Sequence, residues 1–265
     1  MAVAPRTRYA DSDGLNIAYQ VLGDGPPDVV CVAGWLTHAD VVWEDVGFRH
    51  FATRLSQFSR LILFDKRGVG LSDRLSPGEM PPLEVRIDDV RAVMTAVGSS
   101  SAHLLAVHEA GPMCLLFAAT HPDLVAGLVL YGTWAAGTRR EGYPWAPTPE
   151  DHDRLRRAIA ERWGTGIGIS NYAPSLAHDK SFRDWQGRVE RGGATPATAR
   201  ALAEAMAATD VRHVLTTIQV PTLVVHRATD RMVDPGNARY LAEHITGARL
   251  VMLPSCDHWF GVDPD

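Results

Sequence analysis

The hydrophobic positions of this chain follow two alternating rhythms. Short apolar runs of strand length stand at residues 17–21, 29–33, 61–64, 104–107, 127–131, 222–226 and 250–253. Between them lie stretches with helical spacing: 51–58, 83–97, where Val90, Val93, Met94 and Val97 share one face, and 112–120. Strand–helix alternation predicts an α/β fold with a mostly parallel central sheet flanked by helices. Residues 135–210 break the rhythm. They carry Trp145, Trp163 and Trp185, several arginines and helical segments with no strand between them. This predicts a helical cap (135–210) inserted into a core made of 1–134 and 211–265. Such a cap would roof the crevice at the carboxyl ends of the strands, where open α/β sheets bind ligands. A flexible linker is the alternative, and the aromatic content argues against it. No internal repeat or low-complexity segment is present.

Composition narrows the function. At 265 residues, with 46% hydrophobic and 22% charged positions, the chain is sized for one large globular unit. A formal net charge of −5 with no Lys/Arg run argues against a nucleic-acid partner. The apolar runs break well before the ~18 residues of a membrane span. The N-terminus lacks an apolar signal core, which places the chain in the cytoplasm. Cys31, Cys114 and Cys256 match no disulfide framework or zinc ribbon and read as small buried residues. No cofactor and no resident metal are expected.

The densest chemical signal is Ala106-Val107-His108-Glu109-Ala110-Gly111, between the strand at 104–107 and the helix from Pro112. A small-x-nucleophile-x-small pattern at a sharp strand-to-helix turn exposes a nucleophile. Ala106 and Ala110 are the small positions, and His108 stands where Ser, Cys or Asp is usual. Other segments belong with it: Val32-Ala33-Gly34-Trp35, then Asp65-Lys66-Arg67-Gly68-Val69-Gly70-Leu71-Ser72, then Asp230 after one late strand, and Asp257-His258 after the last. Together they make the chain resemble the α/β-hydrolase superfamily over nearly its whole length, in that superfamily's order of elbow, Asp, His. Residues 17–26 (Ile-Ala-Tyr-Gln-Val-Leu-Gly-Asp-Gly-Pro), 58–68 and 115–122 further resemble the hydrolase-like domain fused ahead of class III adenylate/guanylate cyclases in actinobacteria. That family often shows G-x-S-E-G-G at the elbow. This chain departs from it with His108 and with alanine for two glycines. It also stops at Asp265, seven residues after His258, where the fold normally adds a C-terminal helix. The resemblance therefore implies a piece of a longer protein, with a covalently fused cyclase domain as partner. Because such cyclase domains work in pairs, it also implies a homodimer.

The resemblance implies roles for particular residues. His258 is the base, Asp230 orients it, and the backbone N–H groups of Trp35 and Glu109 form the oxyanion hole. Gly34, His38 and Trp145 line the pocket. His108 occupies the nucleophile's place. An imidazole is bulky there, and removing a triad nucleophile leaves only roughly 10³–10⁴-fold over water. The expectation is a hydrolase-like domain that binds a small molecule, regulates a cyclase and hydrolyses esters weakly or not at all. One alternative is an esterase in which His108, His258 and Asp230 still turn over ester substrates. Another is a structural or dimerisation module with no ligand. A dehalogenase would want Asp at position 108. Two facing imidazoles, His108 and His258, could remain neutral and hydrogen-bonded or take a zinc ion with Asp230. Their mutual repulsion would lower at least one pKa. The Glu109 side chain reads as a solvated acid at a helix start, and His38 as a loop histidine. Asp65, Arg67 and Ser72 read as holding their loop together.

Overall fold

A computed structural model describes residues 4–76, 78 and 80–262. The chain enters its sheet through a hairpin, β1 (Arg8–Ser12) and β2 (Leu15–Leu22), paired antiparallel. Asp13 and Gly14 join them, both with positive φ (53° and 81°), the conformation a two-residue hairpin loop requires. The elements that follow are β3 (Asp28–Val32), α1 (Val46–Ser56), β4 (Arg60–Phe64), α2 (Leu83–Arg86), α3 (Asp88–Ala96), β5 (Ala102–Val107), α4 (Ala110–Thr120) and β6 (Val125–Tyr131). After them come α5 (Pro149–Arg162), α6 (Ile169–Tyr172), α7 (Lys180–Gly193), α8 (Pro196–Ala208), β7 (Thr222–Arg227), α9 (Gly236–His244) and β8 (Arg249–Leu253).

The eight strands form one sheet in the order β1-β2-β4-β3-β5-β6-β7-β8. β2 runs antiparallel to its neighbours and the pairings from β4 to β8 are parallel. The central strands are apolar on both faces because helices cover both: Val30, Val32, Leu104, Ala106 and Leu130 are buried on one face and Val29, Cys31, Val107 and Tyr131 on the other. α4 follows β5 and is buried from Ala110 to Ala118, which its nearly unbroken apolar sequence requires.

The run at 83–97 predicts one helix, and the structure divides it. α2 and α3 are separated at Ile87, whose side chain is buried in the core. Between β6 and β7 the chain is helical, from α5 to α8. These helices have sharp polar starts. Thr148 and Asp151 form a reciprocal capping box on α5, Asp179 caps α7 and Thr195 caps α8. The segment is tied down by buried polar contacts. The Glu190 carboxylate on α7 accepts the N–H groups of Gly164, Gly166 and Ile167. Gly70 N–H donates to the Gly193 carbonyl, and Arg74 reaches the carbonyls of Gly192 and Gly193. Among the described residues no helix is long and apolar enough to cross a membrane.

Candidate active site

β5 ends at Val107, and the chain turns into α4 through His108, whose φ is +54°. Left-handed backbone at a non-glycine residue is uncommon and must be held in place. His108 N–H donates to the Tyr131 carbonyl (3.0 Å), and its own carbonyl accepts from Gly111 N–H and the Thr133 hydroxyl. The turn is also tight. A Cβ on Gly34 would lie 2.5 Å from the His108 Cβ, and one on Gly111 would lie 1.8 Å from the Thr133 hydroxyl oxygen. Ala106 and Ala110 are fully buried. The small residues around the turn therefore answer to space.

Three loops at the carboxyl ends of β5, β7 and β8 bring His108, Asp230 and His258 together. His258 Nδ1 donates to Asp230 Oδ2 at 2.7 Å. Asp230 Oδ1 accepts the N–H groups of Met232 (2.8 Å) and Val233 (3.1 Å). Burial alone would raise the Asp230 pKa. The hydrogen bond and charge of His258 and the two backbone N–H groups outweigh it and hold the carboxyl below its ordinary value. With Nδ1 carrying the proton, His258 presents Nε2 as a lone pair. That atom is buried and has no hydrogen-bond partner among the described residues. The His108 ring lies edge-on to it, centroids 4.9 Å apart at 79°, and edge-on to Trp134 at 4.6 Å. Burial first, then the charges of His258 and Lys66, push the His108 pKa well below its ordinary 6.5. His108 is therefore a neutral imidazole at pH 7. Among the described residues no group of three or more His, Cys, Asp or Glu side chains is placed to hold a metal ion.

The Glu109 side chain departs from the sequence-based expectation. It is not a solvated helix-start acid: it is buried between two cations, Lys66 Nζ on Oε2 and Arg86 Nη2 on Oε1 at 2.7 Å. Burial opposes its charge, and the two cations overcome that and lower its pKa. Burial pulls the Lys66 pKa down while its pairing with Glu109 holds it up, and Glu109 ties this cluster to the turn directly after His108. No sequence signal marks the cluster, because its members are 43 and 23 residues apart. The backbone N–H groups of Glu109 and Trp35 make no hydrogen bond among the described residues. Trp35 itself is held at φ +22°.

Two cavities meet at His108. The larger, about 630 Å³, is lined by Trp35, Trp134 and Trp145 and by residues of α5 and α8. The smaller, about 100 Å³, is apolar and lies against Trp185, Trp259 and His258. Trp145 thus lines the larger space. Gly34 and His38 border the smaller one instead, and His38 Nδ1 accepts the N–H groups of Asp40 and Val41 in a turn. His226 is a site neighbour that sequence reasoning did not single out. It lies four residues before Asp230, its Nε2 donates to the Val233 carbonyl at 2.9 Å, and its Nδ1 is buried and unpartnered. Asp65 accepts the N–H groups of Ala39 and Leu71, Ser72 bonds the Asp65 carbonyl, and Arg67 pairs with Asp89. All three side chains hold loops, as expected.

An eight-stranded sheet with a strained strand-to-helix turn, an Asp–His pair on later loops and a helical insert between β6 and β7 defines an α/β-hydrolase architecture. Residues 27–265 match the family model for the alpha/beta hydrolase fold, and the chain belongs to that family. It is 26% identical over 248 residues to the pimeloyl-(acyl-carrier protein) methyl ester esterase of Nitrosomonas europaea, covering 92% of each chain. It is 24% identical over 256 residues to the serine hydrolase BPHL of Mus musculus, covering 93% of this chain and 78% of that one. Among solved structures, an esterase from Exiguobacterium antarcticum superposes with a TM-score of 0.84 at 24% identity, over 97% of this chain and 94% of that one.

The pKa of His108 has a consequence for stability. Above about pH 6.5 the residue is neutral whether the protein is folded or unfolded, and it contributes nothing to pH dependence. Below that pH the unfolded chain takes up the proton first, so stability falls as pH drops toward the depressed folded value. Urea unfolding at pH 7 and pH 5 should show wild type losing about 1–2 kcal/mol more over that interval than His108→Gln. Equal losses in the two proteins would mean that His108 is not held neutral by the fold.

Proposed function

We propose that this is a hydrolase-fold domain with a degenerate catalytic triad that binds a small molecule in the larger cavity without hydrolysing it. The observation that carries this reading is a neutral, buried imidazole at the turn where the attacking atom belongs, beside an otherwise complete Asp–His pair. An ester hydrolase needs a nucleophile whose proton the base can take. His258 Nε2 is ready to accept one, but the His108 ring has no hydroxyl or thiol to offer it. The ring also fills space at the junction of the two cavities, where a tetrahedral carbon would have to form.

A pocket that binds without turnover suits regulation. A ligand that fits one state of a protein better than another shifts the balance between them. The resemblance to the domain that precedes class III cyclases supports a regulatory role toward a fused cyclase, with dimerisation through that partner. The relative named as a methyl ester esterase, with the one named as a serine hydrolase, favours a second reading, ester hydrolysis in the same cavity. A fragment screen read by melting temperature separates them. The expected result is compounds that raise the melting temperature and are recovered intact by mass spectrometry. Compounds recovered cleaved support the esterase, and a screen in which nothing raises the melting temperature contradicts binding altogether.

A further inference from the structure

Resting on the reading of the larger cavity as a small-molecule site, we infer that its ligand is an organic anion, a carboxylate carried on an aromatic or branched apolar body. The lining sets the charge. Arg139, Arg162 and Arg231 border the cavity as solvent-exposed cations at its mouth, and none has a carboxylate within ion-pair distance among the described residues; Arg154, also exposed there, pairs with Asp151. Three carboxylates line the same space, and each is already engaged. Asp151 accepts from Thr148 and Arg154 and also feels Arg139 through space. Asp230 accepts from His258 and two backbone N–H groups. Asp234 accepts the Gly236 N–H at 2.7 Å.

The unpartnered hydrogen-bonding groups around the cavity have the same polarity. The Nε1 atoms of Trp35 and Trp134 are buried without an acceptor among the described residues, and an indole nitrogen can only donate. The backbone N–H groups of Trp35 and Glu109 are likewise unused. The unpartnered groups of the lining are thus donors, and Arg139, Arg162 and Arg231 at its mouth carry no paired carboxylate among the described residues. Guanidinium forks pair planar carboxylates with two parallel hydrogen bonds, and the three tryptophans supply flat apolar walls for the remainder of the ligand.

The test is a titration of wild-type tryptophan fluorescence with matched pairs: phenylacetate against phenylacetamide, 4-phenylbutyrate against 4-phenylbutyramide, and 2-naphthoate against 2-naphthamide. Phenyl phosphate and inorganic phosphate complete the set. At least one acid should bind about tenfold or more tightly than its amide. The preference should collapse in the Arg139→Gln/Arg162→Gln/Arg231→Gln variant and persist in Arg157→Gln, a change on the same helical insert but outside the cavity lining. Acid and amide binding alike overturns the inference but leaves the binding site standing. If neither acid nor amide binds, both the inference and the reading beneath it are overturned. Phenyl phosphate binding more tightly than every acid, or Arg157→Gln losing as much as the triple variant, overturns the carboxylate assignment.

Discussion

The His108→Ser variant should hydrolyse p-nitrophenyl butyrate on the order of 10²-fold or more faster than wild type. The other parts of the reaction are already in place. Asp230 holds His258 through Nδ1, the Nε2 lone pair is buried and unspent, and the N–H groups of Trp35 and Glu109 are free of internal partners. The turn already carries the positive φ that projects a short nucleophile, and it is braced by Thr133, Gly111 and Tyr131. Serine removes the ring and places a hydroxyl at the head of the existing Asp–His pair. A folded variant that stays as silent as wild type would show that the loops are not arranged for acyl transfer, and that losing the nucleophile is not what separates this chain from an esterase.

The second large effect is on stability. Glu109→Ala should cost about 3–5 kcal/mol, because it strands Lys66 and Arg86 in the interior without a counter-charge. Lys66→Met placed on top of Glu109→Ala should recover part of that loss, since it removes one of the two stranded cations. The recovery distinguishes an electrostatic cause from lost packing, which a second truncation would worsen. Chemical denaturation of the two single variants and the double variant measures it. A loss under 1 kcal/mol for Glu109→Ala, or strict additivity in the double variant, would show that the Lys66–Glu109–Arg86 cluster does not support the turn.

What the sequence disclosed and what it withheld divide along a physical line. The strands β3 to β8 were legible because a sheet covered on both faces demands short unbroken apolar runs, and runs such as 104–107 and 127–131 are local patterns. His108 stood out because the turn, its small flanking residues and the helix after it are contiguous. Asp230 and His258 were read through the resemblance to the hydrolase superfamily, from their place in its order of elbow, Asp, His. β1 went unread, although Asp13-Gly14 is a hairpin signal, because Arg8–Ser12 is an edge strand exposed at Arg8, Tyr9 and Asp11. The break at Ile87 was invisible because the apolar spacing continues across it. The buried cluster Lys66–Glu109–Arg86 could not be seen at all. Each member looks like an ordinary surface charge, and only the fold brings the loop after β4, the end of α2 and the turn before α4 into contact. His226 was hidden for a different reason: within a strand it reads as one more position, and only its distance of 3.5 Å from Asp230 marks it.

We propose that this chain keeps the hydrolase scaffold and its cavity without the catalytic reaction. The most direct measurement is steady-state hydrolysis of a short-to-medium-chain p-nitrophenyl ester panel by wild type and His258→Ala, side by side. The account predicts that the two are indistinguishable, both at the residual level of a pocket without a nucleophile. Turnover by wild type that disappears in His258→Ala would contradict it and make His108 part of a working enzyme.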